Sequence, residues 1–314
     1  MPAPAINPLR GIFLKVISVV LFVIMQTCIK AAGQDIPAGQ ITFFRSAFAL
    51  VPIMGYLAWR AQLKGAFHTD SFSGHLKRGF FGILAMICGF YGLVHMPMPD
   101  AIALGYSSPL IAVALAAIIL KESVRFYRWT AVGIGMVGVV IISWPKLSMF
   151  GSGGMGSEQA LGAIAVIAGA FLGGLAMIQT RQLVHTEKTT TIVLYFSLTA
   201  AVFSMASIPF GWILLSPSQA IFLICSGFCG GVAQIFLTES YRQADVSTVA
   251  PFEYSSIILG IVIAYGLFGE EPTRATLIGT AITVSAGIFI IYREHQLGLE
   301  RKAARKASPP GAGA

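Results

Sequence analysis

Ten stretches of about twenty apolar residues follow one another along the chain, separated by short polar segments. A hydrocarbon layer about 30 Å thick is crossed by roughly 20 helical residues. The pattern therefore predicts ten membrane-spanning helices, spans 1 to 10, and leaves no room for a soluble domain. The predicted spans are about 11–31, 38–58, 78–96, 99–120, 127–145, 160–180, 190–214, 218–239, 246–268 and 275–292.

The composition agrees with this class of protein. Hydrophobic residues make up 56% of the 314 positions and charged residues only 11%, whereas soluble domains carry about 25% charged residues. Four cysteines in a chain of this length are too few for a disulfide scaffold. We therefore predict an all-α integral membrane protein.

Lysine and arginine are distributed unevenly between the two sides of this ten-span topology. Sixteen of the 21 lie on the side of the N-terminus and three on the other, with Lys15 and Arg45 inside spans. Cytoplasmic loops hold an excess of these residues, so both termini are predicted to be cytoplasmic. The net charge of +8 then reflects topology, and no nucleic-acid partner is needed to explain it.

The two halves of the chain repeat each other. Residues 103–108, ending in Tyr-Ser-Ser, match residues 251–256 at an offset of 148, and Glu122 matches Glu270 at the same offset. Because each copy has five spans, an odd number, the second copy enters the membrane from the opposite side. Inverted repeats are a recurring architecture of secondary transporters. We predict a first repeat at 1–150, a second at 151–293, and a disordered cytoplasmic tail at 294–314.

These motifs carry a family resemblance over roughly residues 8 to 293. Three stretches resemble the EamA-type branch of the drug/metabolite transporter superfamily. They are the segment from Asp100 to Pro109, residues 120–122 and residues 249–254. Residues 39–46 and 249–254 are similar to alphaproteobacterial members, a group that includes riboflavin transporters. The resemblance implies a multi-pass protein of the bacterial inner membrane that takes up riboflavin. Export of amino acids or related metabolites is the alternative substrate class, and a homodimer is an open alternative to a monomer.

Two of the ionisable residues that lie within spans are candidates for substrate binding. Arg45 is about a third of the way into span 2, and Glu253 has a mirrored depth in span 9. A charge at the centre of a spanning helix costs about 2.5 to 3.5 kcal/mol on insertion scales, so each should face a cavity or a partner. Arg45 could contact an electron-rich substrate group, and Glu253 could bind substrate or a proton. Pairing with backbone or snorkelling to an interface is the structural alternative.

The two Tyr-Ser-Ser triplets suit a polar, ring-bearing solute. Tyrosine offers a ring and a hydroxyl, serine adds donors, and the adjacent prolines free backbone carbonyls. Serine bonding to its own helix, or permitting close packing, is the structural alternative. The candidates from the triplets are Tyr106, Ser107, Ser108, Tyr254 and Ser255.

Other polar residues in the spans are weaker candidates. The embedded amides of Gln26, Gln179 and Gln234 are included as substrate-binding residues, with interhelical hydrogen bonds as the alternative. Lys30 and Glu239 lie near span ends, where snorkelling is expected. For the span-end acids Glu122 and Glu270, capping or a contact to a neighbouring arginine is expected.

Several motifs of enzymes and cofactor sites are discounted. The GxGxxG pattern at Gly133, Gly135 and Gly138 follows no strand, so helix packing explains it better than a dinucleotide. Cys225 and Cys229 have no histidine near them in the sequence, and no metal or cofactor is predicted. An intramembrane enzyme is the alternative from another class, but the embedded acids show no partner in the sequence that would make a catalytic pair.

Overall fold

The computed structural model describes residues 8–119, 126–148, 154–183, 186–243 and 249–307, and every regular element within them is helical. Short helical turns of other types occupy Met205–Phe210, Ala250–Tyr254 and Ala264–Phe268. The α-helices are α1 (Pro8–Ala32), α2 (Ala38–Trp59), α3 (Leu63–Ala66), α4 (Phe72–His95), α5 (Met98–Gly105), α6 (Ser107–Ile119), α7 (Phe126–Leu147), α8 (Gly154–Leu183), α9 (Thr189–Ser204), α10 (Pro217–Gln243), α11 (Ser255–Ile263) and α12 (Arg274–Ala307).

Nine segments of this described part are long and apolar enough to cross a membrane, which agrees with spans 1 to 8 and span 10. Span 9 differs from the prediction of a regular helix. It consists of a 3-10 turn from Ala250, the nine-residue α11, and a π turn that ends at Phe268. Pro251 cannot donate a backbone hydrogen bond in the first turn, and Gly269 ends the segment with a φ of +64°.

The helices pack as two equivalent sets. The extensive contact of α1 with α10, spans 1 and 8, has its counterpart in α8 with α4, spans 6 and 3. Likewise, the contact of α6 with α8, spans 4 and 6, has its counterpart in that of α11 with α1, spans 9 and 1. The contact of α7 with α12 joins spans 5 and 10, which are counterparts of each other. Exchanging spans 1–5 with spans 6–10 therefore preserves the packing pattern, as two structurally equivalent halves would.

The glycines discounted as a nucleotide motif pack helices together at two of their three positions. A Cβ on Gly138 would lie 2.6 Å from the carbonyl oxygen of Gly279 on α12, and one on Gly135 would overlap the side chain of Leu110. Gly133 has open space around it. Small residues let membrane helices approach closely, so Gly135 and Gly138 set the distance of α7 from its neighbours.

We expect Gly138→Val to destabilise the protein by about 3 kcal/mol, which is the upper part of the usual range for overpacking. The value is high because the added side chain would meet the backbone of α12, which cannot move aside as a side chain can. The control is Gly133→Val on the same helix, which meets nothing within 4 Å. Thermal unfolding of the purified protein in detergent measures both variants. Equal unfolding temperatures for the two would contradict the assigned role of Gly138.

The C-terminal segment differs from the prediction of a disordered tail from residue 294. Helix α12 continues to Ala307, and the described part of the chain ends there. Residues 294–307 are rich in alanine, arginine, lysine, leucine and glutamate, which have high helix propensity, and this explains the continuation.

Candidate functional site

The helices of spans 4 and 9 are both interrupted, and the interruptions lie next to each other. Span 4 breaks at Tyr106, between α5 and α6, and Tyr254 lies at the junction of the 3-10 turn with α11. The two tyrosine rings are in contact, with centroids 4.9 Å apart and planes inclined at 43°. Spanning helices that are broken at matching positions of two repeats commonly carry a transporter's binding site.

Hydrogen bonds of Tyr106 hold this contact between the two halves. Its hydroxyl donates to the backbone carbonyl of Glu253 over 2.7 Å, and it also forms a hydrogen bond with the hydroxyl of Ser256. Ser256 belongs to the second triplet but was not among the predicted candidates. The hydrogen bonds of the Tyr106 hydroxyl therefore require the interrupted conformation that span 9 adopts.

The predicted Glu253 pairs with a lysine of span 1. The Nζ atom of Lys15 on α1 lies 3.2 Å from Oε2 of Glu253. The lysine side chain is buried, whereas 53% of the glutamate side chain is exposed. From the sequence, Lys15 was predicted to lie within span 1, and no role was predicted for it. An acid that is charge-paired on one side and exposed on the other can contact a solute that enters from the exposed side.

The serines of the triplets have different surroundings. Ser107 donates to the carbonyl of Leu104 over 2.6 Å, and Ser255 donates to that of Phe252 over 2.6 Å. Both hydroxyls are thus used within their own spans, each across the break in its helix, which is close to the alternative that the sequence left open. Ser108 lies against α8, where its Oγ would be 2.9 Å from a Cβ on Gly173.

Arg45 is buried within α2, at 7% exposure. Its guanidinium occupies the space beside Gly230 of α10, where a Cβ would lie 3.3 Å from Nε. Nε has no hydrogen-bond partner among the described residues. The backbone pairing given above as an alternative is therefore not observed for this nitrogen.

The three glutamines lie in three separate places. Oε1 of Gln26 is buried without a hydrogen-bond partner in the described structure. Gln234 lines a cavity of about 320 Å³ between α2, α9 and α10, together with Tyr56 and Glu239. Gln179 lines a smaller cavity of about 230 Å³ beside the loop before α4. The structure does not bring them together into one binding site.

Ion pairs join the helices at the end of the bundle where α1 ends, called the predicted outer end. Lys30 lies 2.7 Å from Oε1 of Glu270, whose Oε2 accepts the Met98 N–H over 2.8 Å. The expectation that Lys30 snorkels is wrong, because its side chain is 10% exposed and also donates to the carbonyl of Met96. Of the two contacts expected for Glu270, a capping contact is observed with the first residue of α5, and the charged partner is this lysine from span 1 in place of an arginine. Glu122 lies outside the described residues.

A second ion pair at the predicted outer end is fully enclosed. Nζ of Lys146 lies 2.6 Å from Oδ2 of Asp100, and the Thr276 hydroxyl bonds to Oδ1. These residues come from α7, α5 and α12. Together with the Lys30–Glu270 pair, they connect both halves at this end of the bundle.

At the opposite end, the predicted cytoplasmic end, Glu187 fastens two loops together. The Thr69 hydroxyl and the N–H groups of Asp70 and Ser71 all donate to its Oε1. Burial alone would raise the pKa of Glu187, but these hydrogen bonds and the nearby His75 outweigh it, so the pKa lies below its usual range. Glu187 is thus a structural residue of the loops.

Comparison with known proteins agrees with this architecture. The sequence profile of the EamA-like transporter family matches residues 9–144 and 160–293, once in each half of the chain. One solved crystal structure, 16% identical, superposes on 88% of this chain and 95% of its own with a TM-score of 0.61, a likeness of fold.

The similar proteins of named function are transporters rather than enzymes, and their substrates differ. The S-adenosylmethionine uptake transporter of Rickettsia prowazekii is 26% identical over 91% of this chain and 94% of its own. The pseudopaline exporter CntI of Pseudomonas aeruginosa is 28% identical over 89% and 95%. The riboflavin transporter of Vibrio cholerae is 25% identical over 92% and 95%.

Proposed function

Because the chain belongs to the EamA-like transporter family, we propose that it is a secondary transporter that moves a small organic metabolite across the membrane by alternating access. The observation that carries this proposal is the contact of Tyr106 with Tyr254, where the interrupted helices of the two halves meet. The substrate binds there, beside Glu253. The two repeats at 1–150 and 151–293 move relative to each other around this site.

The proposed orientation places both termini in the cytoplasm of a bacterial cell with the protein in its inner membrane. The distribution of lysine and arginine supports it. In this orientation, the ion pairs of Lys30 and Lys146 close the periplasmic side. The half-exposed Glu253 is then reached from the cytoplasm.

Two substrate classes are supported by different observations. Riboflavin uptake is supported by the similar riboflavin transporters and by the two adjoining tyrosine rings, on which a flavin can stack. A metabolite with a carboxylate is supported by Arg45, whose buried Nε has no acceptor in the described structure. The similar transporters of S-adenosylmethionine and pseudopaline make this second class relevant.

Uptake of labelled riboflavin by a bacterial strain that cannot make it tests the first class. If riboflavin is the substrate, the wild type restores growth and uptake. We expect Tyr106→Phe to lower uptake roughly tenfold, because Glu253 and Ser256 lose their hydrogen-bond partner. A tenfold loss corresponds to the upper part of the usual net free energy of a hydrogen bond. The matched control is Tyr265→Phe, a change at an exposed tyrosine.

The outcomes separate substrate from mechanism. No uptake and no growth with the wild type would exclude riboflavin and leave transport of other metabolites in place. Equal losses for Tyr106→Phe and Tyr265→Phe would contradict the proposed site. If the reconstituted wild type moved no metabolite down any gradient, the transport proposal itself would fail.

A further inference from the structure

Arg45 is a buried cation without a counterion in the described structure. It lies seven residues from the start of α2, or about 10 Å along the helix axis. Its side chain forms no ion pair with the described residues, and Nε has no acceptor. A buried charge that lacks a partner is strongly unfavourable, so its retention calls for a ligand that supplies the missing negative charge.

A second arginine has the same deficiency. Arg78 lies six residues from the start of α4, about 9 Å along an axis that runs opposite to α2. Its Nε donates to the Thr180 hydroxyl over 2.8 Å and its guanidinium lies over the Phe196 ring at 4.1 Å, but Nη1 is buried without an acceptor. In the sequence, Arg78 is the first residue of predicted span 3 and was counted with the sixteen basic residues on the side of the N-terminus.

The two arginines lie on α2 and α4, helices that run in opposite directions and pack against each other. The carboxylates that could neutralise them are engaged elsewhere. Within the described residues, Asp100 pairs with Lys146, Glu270 with Lys30, and Glu253 with Lys15. Two unneutralised cations in a low-dielectric region produce a strongly positive potential.

The neighbouring helices leave room for the Arg45 guanidinium. A Cβ on Gly230 would lie 3.3 Å from its Nε, 3.6 Å from its Nη2 and 2.7 Å from the Met25 sulfur. Gln26, the residue after Met25, has a buried amide oxygen that also lacks a partner. The unsatisfied donors thus come from α2 and α4, whereas the Gln26 oxygen is an acceptor and cannot bind an anion itself.

We infer that Arg45 and Arg78 form an anion site that binds the carboxylate of the transported metabolite. The planar guanidinium group matches a carboxylate with two parallel hydrogen bonds. The inference rests on the proposed transport function and selects the second of its two substrate classes. Riboflavin is neutral and has no carboxylate, so it does not satisfy this site.

Matched ligand pairs test the site on the purified full chain in detergent, with binding followed by thermal shift. The probes are S-adenosylmethionine with its decarboxylated form, phenylalanine with phenylalaninamide, inorganic phosphate, and riboflavin. We expect at least one carboxylate to bind ten times or more as tightly as its matched analogue. Arg45→Gln and Arg78→Gln should each remove this preference, and Arg60→Gln, a change at an exposed arginine, should keep it.

A second measurement separates binding from a structural role. Without ligand, Arg45→Met should raise the unfolding temperature by a few degrees, because it removes an uncompensated buried charge. A structural cation would give the opposite result. The same variant should lose the stabilisation by the carboxylate probe.

Several outcomes would overturn the inference. It fails if the wild type binds no carboxylate, or binds each carboxylate and its matched analogue equally tightly. It would also be overturned if phosphate bound more tightly than every carboxylate, or if Arg45→Gln kept the preference for the carboxylate over its analogue. Transport of riboflavin that is unchanged in Arg45→Gln would overturn the anion site and leave the transport function in place. Failure of the reconstituted wild type to move any probe would instead count against the transport function.

Discussion

Replacing Asp100 with alanine is expected to lower the free energy of unfolding by about 3 to 5 kcal/mol, the usual cost of breaking a buried ion pair. Asp100 is 1% exposed, and its partner Lys146 is buried as well. The substitution leaves the ammonium of Lys146 without its carboxylate and removes the acceptor of the Thr276 hydroxyl. Thermal and denaturant unfolding of the purified protein in detergent measures the loss.

A double variant shows that the loss comes from the orphaned charge. Asp100→Leu combined with Lys146→Met removes both charges, and replacement of a buried pair by apolar residues is often neutral or stabilising. Glu271→Ala, at an exposed acid of the same end, is the control for the removal of one carboxylate. A double variant as unstable as Asp100→Ala would show that the ion pair is not the cause.

Replacing Glu270 with glutamine is expected to open the predicted outer end. The substitution removes the charge that holds Lys30 of α1 at 2.7 Å. If the pair favours the closed form by about 1.4 kcal/mol, its loss raises the open population about tenfold. A cysteine placed at Met96, which is 2% exposed beside this pair, reports the change through its rate of labelling by a membrane-impermeant maleimide.

The controls for this opening use the same reporter. Glu271→Gln changes the neighbouring exposed acid and should leave the labelling rate unchanged. Lys30→Met should accelerate labelling as Glu270→Gln does, and the double variant should add little, because both remove one interaction. Equal labelling rates for Glu270→Gln and Glu271→Gln would mean that the ion pair does not hold this end closed.

Most of the spans follow from the properties of each apolar stretch by itself. The apolar stretches predicted nine of the ten spans as helical segments, because the requirement to satisfy backbone groups in lipid acts on each stretch by itself. Span 9 was predicted as a regular helix, and the effect of Pro251 and Gly269 on its two ends was underestimated. Its break brings Tyr254 next to Tyr106.

The candidate residues show the same division. Arg45 and Glu253 were found from the sequence because a charge inside an apolar stretch is visible there. Lys15 and Ser256 were missed as partners, since each is explained only by a contact with a distant part of the chain. Arg78 was missed because it lies at the edge of its apolar stretch, although the helix containing it begins at Phe72.

The sequence by itself determined the membrane class, the number of spans, the duplication of the chain and the EamA-type family. These properties depend on hydropathy and residue spacing, which add up along the chain without knowledge of contacts. The tertiary structure decided which charges pair, with Lys30 on Glu270 and Lys146 on Asp100, and which arginines keep none in the described part of the chain. Charge pairing is a property of two positions far apart in sequence, and only the packing of the helices brings them together.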